Sequence, residues 1–188
     1  MKHYLQLLAA RIPAGRYRHC LGVADTAADL AVKHGADAEQ ARLAGLLHDY
    51  ARDLPPAELL DLAEQAGCIT CDLERRLPVL LHGPVGALLL KRDLRITDPA
   101  ILQAVARHTV AAPAMTALDK IIYLADMIEP GRQFAGVRAI RQVAAADLEA
   151  ALLKAMEASI IYVLDKGQPL HPATVEARNY ILLARGGF

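Results

Sequence analysis

The 188-residue sequence has no tryptophan, two phenylalanines and six tyrosines, so its core cannot rest on aromatic side chains. Hydrophobic residues make up 54% of it and aromatics only 4%. The interior must therefore be built from Leu, Ala, Ile and Val, a palette that favours packed helices. Asn-Gly and Asp-Gly pairs are missing as well, which removes the strongest hairpin signal. Net charge is absent: 21 Lys and Arg balance 21 Asp and Glu, leaving no overall field to hold a nucleic acid or an anionic membrane. The longest apolar stretch, Leu77 to Leu90, is broken by His82, Gly83 and Pro84 and is too short to span a bilayer. Met1 to Pro13 lacks the apolar segment and cleavage site of a secretory leader. Three cysteines, Cys20, Cys68 and Cys71, cannot all pair within one chain, which suggests a reducing, cytoplasmic setting. Cys68 and Cys71 form a C-x-x-C, but with no second such pair and no preceding strand the reading is structural. A Walker-type or G-x-G-x-x-G loop is also missing, which argues against a kinase or a dehydrogenase.

What is present reads as a single all-α domain over 1–188. Proline, glycine and capping residues place helix breaks near Pro13, Gly35, Pro55, Gly67, Pro78, Asp98, Pro113, Pro130, Asp147 and Pro169. About nine or ten helices follow. Arg16 to His34 has helical apolar periodicity, Asp37 to Arg52 is expected as a helix capped by Asp37, and Asp147 to Asp165 as a long one.

The informative residues are ionisable groups inside apolar runs. His48 and Asp49 follow Ala44-Gly45-Leu46-Leu47, Asp126 sits in Ile121-Ile122-Tyr123-Leu124-Ala125-Asp126-Met127-Ile128, His82 interrupts the run Pro78 to Gly86, His108 closes the run from Ile101, and His19 precedes an apolar helical stretch. A buried carboxylate without a partner costs several kcal/mol. One buried histidine is ordinarily a hydrogen-bonded core residue. Four histidines and two aspartates, each on a different helix except the adjacent pair His48-Asp49, are instead the donors a bundle turns inward to hold a borderline transition metal. His3 and His34, each beside a lysine, are expected at the surface. His171, in a turn before the last helix, fits either a plain turn or a ligand contact.

The ordered blocks Arg16-Tyr17-Arg18-His19, Ala44 to Ala51, Leu81-His82-Gly83-Pro84, Arg107-His108-Thr109, Ile121 to Pro130 and Ala177-Arg178-Asn179-Tyr180 resemble the YqeK family of HD-superfamily phosphohydrolases. The resemblance runs from about Arg16 to about Leu182. It implies an all-helical HD fold, an iron-containing site (or another divalent transition metal such as manganese or cobalt), and symmetrical hydrolysis of diadenosine tetraphosphate to two ADP. His19, His48, Asp49 and Asp126 would be the primary metal ligands. Arg16, His82, His108, Met127 by its backbone and Arg132 would face the nucleotide, with His82 and His108 able to hold a second metal. His171 is added to these as a substrate contact. One departure stands out: the family's glycine two residues after His108-Thr109 is Ala111 here, a position where a glycine would allow a positive φ.

The chemistry expected of such a site starts from a cation that lowers the pKa of bound water from about 16 toward about 7. Asp49 would bind the metal and orient or deprotonate that water, with His82 and His108 as further catalytic groups. Arg16 and Arg132 suit phosphate oxygens, although Arg132 could equally cap carbonyls at a helix end. Other readings keep the site but change the substrate, to a nucleotide phosphomonoester or cyclic nucleotide, or make the domain a non-catalytic nucleotide-binding regulator. The oligomeric state is open, a homodimer included.

Overall fold

The computed structural model describes residues 1–186; Gly187 and Phe188, the end of the expected domain, lie outside them. Eleven α-helices follow one another, and no strand is present among the described residues. They are α1 (Lys2–Arg11), α2 (Ala14–Lys33), α3 (Ala38–Leu47), α4 (Pro56–Ala66), α5 (Asp72–Arg76), α6 (His82–Asp93), α7 (Pro99–Arg107), α8 (Ala117–Ile128), α9 (Val137–Ala144), α10 (Leu148–Asp165) and α11 (Pro172–Arg185), with a 3-10 turn at Pro78–Leu81 before α6. The expected nine or ten helices were an undercount. The five-residue α5 is too short for periodicity to reveal.

Capping residues explain the boundaries. Asp37, Asp98 and Asp147 accept backbone N–H groups of Gln40, Ala100 and Ala150 at 2.9 Å each, satisfying donors that helix starts leave open. Thr116 and Asp119 bond reciprocally at the start of α8. Fully buried Asp119 also accepts from Gln103 and Arg107 on α7, at 2.9 and 3.0 Å, fastening the two helices. The helix expected over Asp37 to Arg52 stops at Leu47. Beyond it the chain tightens into i→i+3 turns, Tyr50 N to Leu47 O, Arg52 N to Asp49 O and Leu54 N to Ala51 O, ahead of Pro55-Pro56.

Helices α2, α3, α6, α7 and α8 form the centre of the bundle, with α2 against α3 and α8, and α7 against α3, α6 and α8. Fully buried Leu46, Leu47, Leu89, Leu90, Ile121, Ile122 and Leu124 fill the interior. Two glycines set the closest approaches. A Cβ on Gly45 would lie 3.1 Å from Ala24 Cα, and one on Gly83 would lie 2.8 Å from Ala106 O. The first lets α3 press on α2, and the second lets α6 press on α7. Both contacts lie within three residues of a histidine of the site.

Candidate metal centre

The ends of these central helices meet at one place. His19 lies in the first turns of α2, His48 caps the C-terminus of α3 with Asp49 next to it, His82 opens α6, His108 caps the C-terminus of α7, and Asp126 is in the last turn of α8. His82, which breaks an apolar run in the sequence, is thus the first residue of a helix. The four imidazoles run in the order His19, His48, His108, His82, with ring centroids 5.3, 4.9 and 4.9 Å apart. Asp126 Oδ1 stands 3.0 Å from His19 Nε2 and 3.8 Å from His48 Nε2. Asp49 bridges the two halves: Oδ2 is 3.6 Å from His48 Nε2, and Oδ1 is 3.3 and 3.6 Å from His82 and His108 Nε2.

The outer nitrogens decide what the inner ones can do. Nδ1 of His48, His82 and His108 each meets the carbonyl three residues back, on Gly45, Val79 and Val105, at 2.7, 2.5 and 2.7 Å. A carbonyl can only accept, so each Nδ1 carries the proton and each Nε2 presents a lone pair. His19 obeys the same logic through a carboxylate, with Nδ1 3.1 Å from Glu129 Oε1. The Nε2 atoms of His19 and His48 are buried and have no hydrogen-bond partner among the described residues. Lone pairs buried without a donor, facing carboxylate oxygens at 3.0–3.8 Å, are the arrangement that a shared cation satisfies. The nitrogen and oxygen donor set fits a borderline divalent transition metal.

His48 and the two carboxylates hold the protonation states that such a fit needs, while at His19 burial lowers the ring but the hydrogen bond and charge of Asp126 outweigh it and raise it. Burial depresses His48 to about 4 against the pull of Asp49 and Asp126, so it stays neutral at pH 7. Burial raises the carboxyls of Asp49 and Asp126, but the surrounding imidazoles, joined at Asp126 by Arg132, outweigh it and hold both well below the ordinary carboxylate range. His82 and His108 approach Nε2 to Nε2 at 3.0 Å, with Thr109 Oγ1 3.1 and 3.3 Å away. Burial lowers His82. At His108 burial lowers as well, but the hydrogen bond and charge of Asp49 outweigh it and raise the ring.

A cavity of about 1090 Å³ opens over this cluster. Arg16, Asp49, His82, His108, Asp126, Met127, Arg132 and His171 all line it, whereas His19 and His48 lie behind its floor. Phe134, Tyr162, Val163 and Leu170 form an apolar part of the wall.

The HD domain family matches residues 16–131, a span that contains every residue of the cluster. The chain belongs to the HD-domain family. It is 40% identical over 95% of both chains to the symmetrical bis(5'-nucleosyl)-tetraphosphatase of Halalkalibacterium halodurans, and 38% identical over 89% of both to the one from Bacillus subtilis. A crystal structure from Clostridium acetobutylicum, described as a predicted HD superfamily hydrolase involved in NAD metabolism, superposes with a TM-score of 0.94 at 42% identity, covering 97% of each chain. The HD domain carries a divalent metal, and the centre described above has the donors for it.

Both arginines expected at phosphate hold HD-centre carboxylates in the free protein. Arg16 donates to Asp49 at 2.6 Å and to Asp53 at 2.8 Å. Arg132 reaches Asp126 twice, with Nε on its carbonyl at 2.7 Å and Nη2 on Oδ1. Capping of the α8 C-terminus falls mostly to Arg141, which donates to the carbonyls of Ile128 and Glu129.

His171 lines the cavity, but its tautomer differs from that of the HD-centre histidines. Its Nδ1 accepts the Ala173 N–H at 3.2 Å, so the proton sits on Nε2, facing Glu74 Oε1 at 3.3 Å and Cys71 Sγ at 3.4 Å. This cluster joins the start of α5 to the start of α11 as a polar clasp, and Cys68 and Cys71 remain free thiols. His3 is exposed as expected. His34 is not a solvated residue: it is half-buried and its Nε2 donates to Ala144 O at 2.7 Å. Two residues carry too little local signal for sequence reasoning to single out. Arg52, half-buried in the cavity wall, has no side-chain hydrogen bond among the described residues, and its place three positions after Asp49 is the one available hint. Glu129 meets His19 across 110 positions, a pairing with no local signal at all.

Proposed function

We propose that this chain hydrolyses diadenosine tetraphosphate symmetrically to two ADP, as a metal-dependent HD hydrolase. The observation that carries the reading is the convergence of His19, His48, Asp49 and Asp126 beneath a cavity walled by arginines and apolar side chains. The tetraphosphatase activity of relatives alike over about nine-tenths of the chain supports the same substrate. Those four residues are the proposed primary ligands of iron, with manganese or cobalt as alternatives. Asp49 Oδ1, His82 and His108 are the proposed holders of a second cation. When bound, the metal supplies a Lewis acid that neutralises phosphate charge and acidifies water.

The chain's own residues supply the rest. Asp49 lines the cavity and is kept anionic, so its oxygens can orient the attacking water by accepting a hydrogen bond from it. His108 and His82 stand side by side in the cavity lining, placed to hydrogen-bond the departing ADP oxygen. Arg16 and Arg132, already at the cavity floor, each present a guanidinium fork to phosphate oxygens. Met127 by its backbone and His171 complete the proposed contacts with the nucleotide. A cytoplasmic location belongs to the same proposal. The described residues contain no helix long and apolar enough to cross a membrane.

Incubating metal-loaded protein with diadenosine tetraphosphate and separating the nucleotides should yield ADP alone. AMP together with ATP would overturn the symmetrical cleavage. In parallel, His48→Ala should lose both bound metal and turnover, whereas a non-catalytic nucleotide-binding module would keep its ligand affinity.

A further inference from the structure

His19 is the site histidine that sits within a helix rather than at a helix end. His48 and His108 find carbonyls in the last turns of their helices, and His82 finds that of Val79 in the 3-10 turn before α6, which also takes the His82 backbone N–H. Within α2 the carbonyls are taken by the helix itself. The acceptor that His19 uses instead is Glu129, one turn beyond Asp126 at the end of α8 and only 6% exposed. Its carboxylate is closely held: Oε2 accepts the Gly131 N–H at 2.5 Å, and Arg132 Nε approaches Oε1 at 4.0 Å. Two glycines make room for it. A Cβ on Gly22, three residues along α2 from His19, would fall 2.9 Å from Oε2, and one on Gly131 would fall 2.9 Å from both oxygens.

We infer that Glu129 is a positioning residue for the metal centre: it fixes His19 as the Nδ1–H tautomer, aims Nε2 at Asp126, and makes this ring a stronger donor than a carbonyl-bonded one would be. Outer carboxylates of this kind are worth about 10–100-fold in metal affinity. The inference rests on the ligand role proposed for His19, and it is independent of the substrate.

The test is cobalt(II) titration of the metal-free protein, followed by visible absorption, together with two-bond proton–nitrogen correlation spectra that read each histidine's tautomer. Glu129→Ala should bind cobalt about 10–100-fold more weakly and leave His19 in a mixture of tautomers, while His48, His82 and His108 keep theirs. Glu129→Gln, which can still accept the Nδ1–H, should rescue the tautomer and only part of the affinity. Gly22→Ala provides a second check that leaves every donor in place: its Cβ would lie 2.9 Å from Oε2, so the displaced carboxylate should weaken cobalt binding and mix the His19 tautomers. Wild-type affinity and an unchanged His19 tautomer in Glu129→Ala would overturn the inference, leaving Glu129 a structural cap. If His19→Ala itself binds cobalt like wild type, the ligand role falls first and the inference with it.

Discussion

At the scale of single residues, Ala111 carries a testable cost. Its φ is +62°, the left-handed region, and it is buried in the turn that closes α7 behind His108, with its N–H on Arg107 O at 2.9 Å. An L-residue there is strained by roughly 1–2 kcal/mol relative to glycine. Ala111→Gly should therefore raise unfolding free energy by about 1 kcal/mol, read as a higher denaturant midpoint, with the metal affinity unchanged. A lower midpoint would mean that the lost methyl packing outweighs the relieved strain. The alanine in place of glycine points to this turn from sequence because the residue type alone raises the question of φ. His34 is misleading for the opposite reason: its partner, Ala144, is 110 positions away, and its neighbour Lys33 says nothing about it. Arg52 makes a second residue-scale case. Its guanidinium, in the cavity wall and without a side-chain partner among the described residues, suits the charge of a four-phosphate substrate, and a charge-assisted hydrogen bond contributes about 1.5–3 kcal/mol. Steady-state kinetics of Arg52→Ala should show KM raised about 10-fold or more with kcat little altered; a fall in kcat at constant KM would place Arg52 in the chemical step instead.

Whole elements were more legible than their meeting points. Each of the ten sequence breaks falls between two successive helices, because proline, glycine and Asp caps act locally. Inward-turned histidines and aspartates were legible too, since an ionisable group in an apolar run is too costly to bury unless something there pairs with it. What periodicity could not show was that the HD pair lies just past a helix end, where His48 borrows a carbonyl from the last turn of α3. The α6–α7 contact shows how an element positions the site. Gly83 allows the first turn of α6 to lie against the carbonyls of Val105 and Ala106, and that approach brings His82 to within 3.0 Å of His108. Gly83→Ala would improve helix propensity and yet force backbone apart, since its Cβ would sit 2.8 Å from Ala106 O. Overpacking of this kind costs about 1–3 kcal/mol. The variant should unfold at lower denaturant and lose turnover by more than its folded fraction explains, a difference that activity measured far below the midpoint resolves.

For the molecule as a whole, the same convergence that makes the centre reactive leaves the metal-free fold with unsatisfied polar groups at its middle. Four imidazoles and two carboxylates are gathered where α2, α3, α6, α7 and α8 meet, with the buried Nε2 lone pairs of His19 and His48 unpartnered among the described residues. A cation there ties together helices far apart in sequence and binds the folded state alone, so its binding energy adds to stability. At a free metal concentration 100-fold above Kd the gain is about 2.7 kcal/mol. In a chain of this length 1 kcal/mol moves the melting temperature by about 2–4 °C, so loading chelator-treated protein should raise it by roughly 5–10 °C. His48→Ala should abolish the shift, whereas Arg52→Ala, which removes no donor, should keep it. Equal melting temperatures with and without metal in the wild type would mean that the His19 and His48 donors are satisfied within the protein and hold no cation.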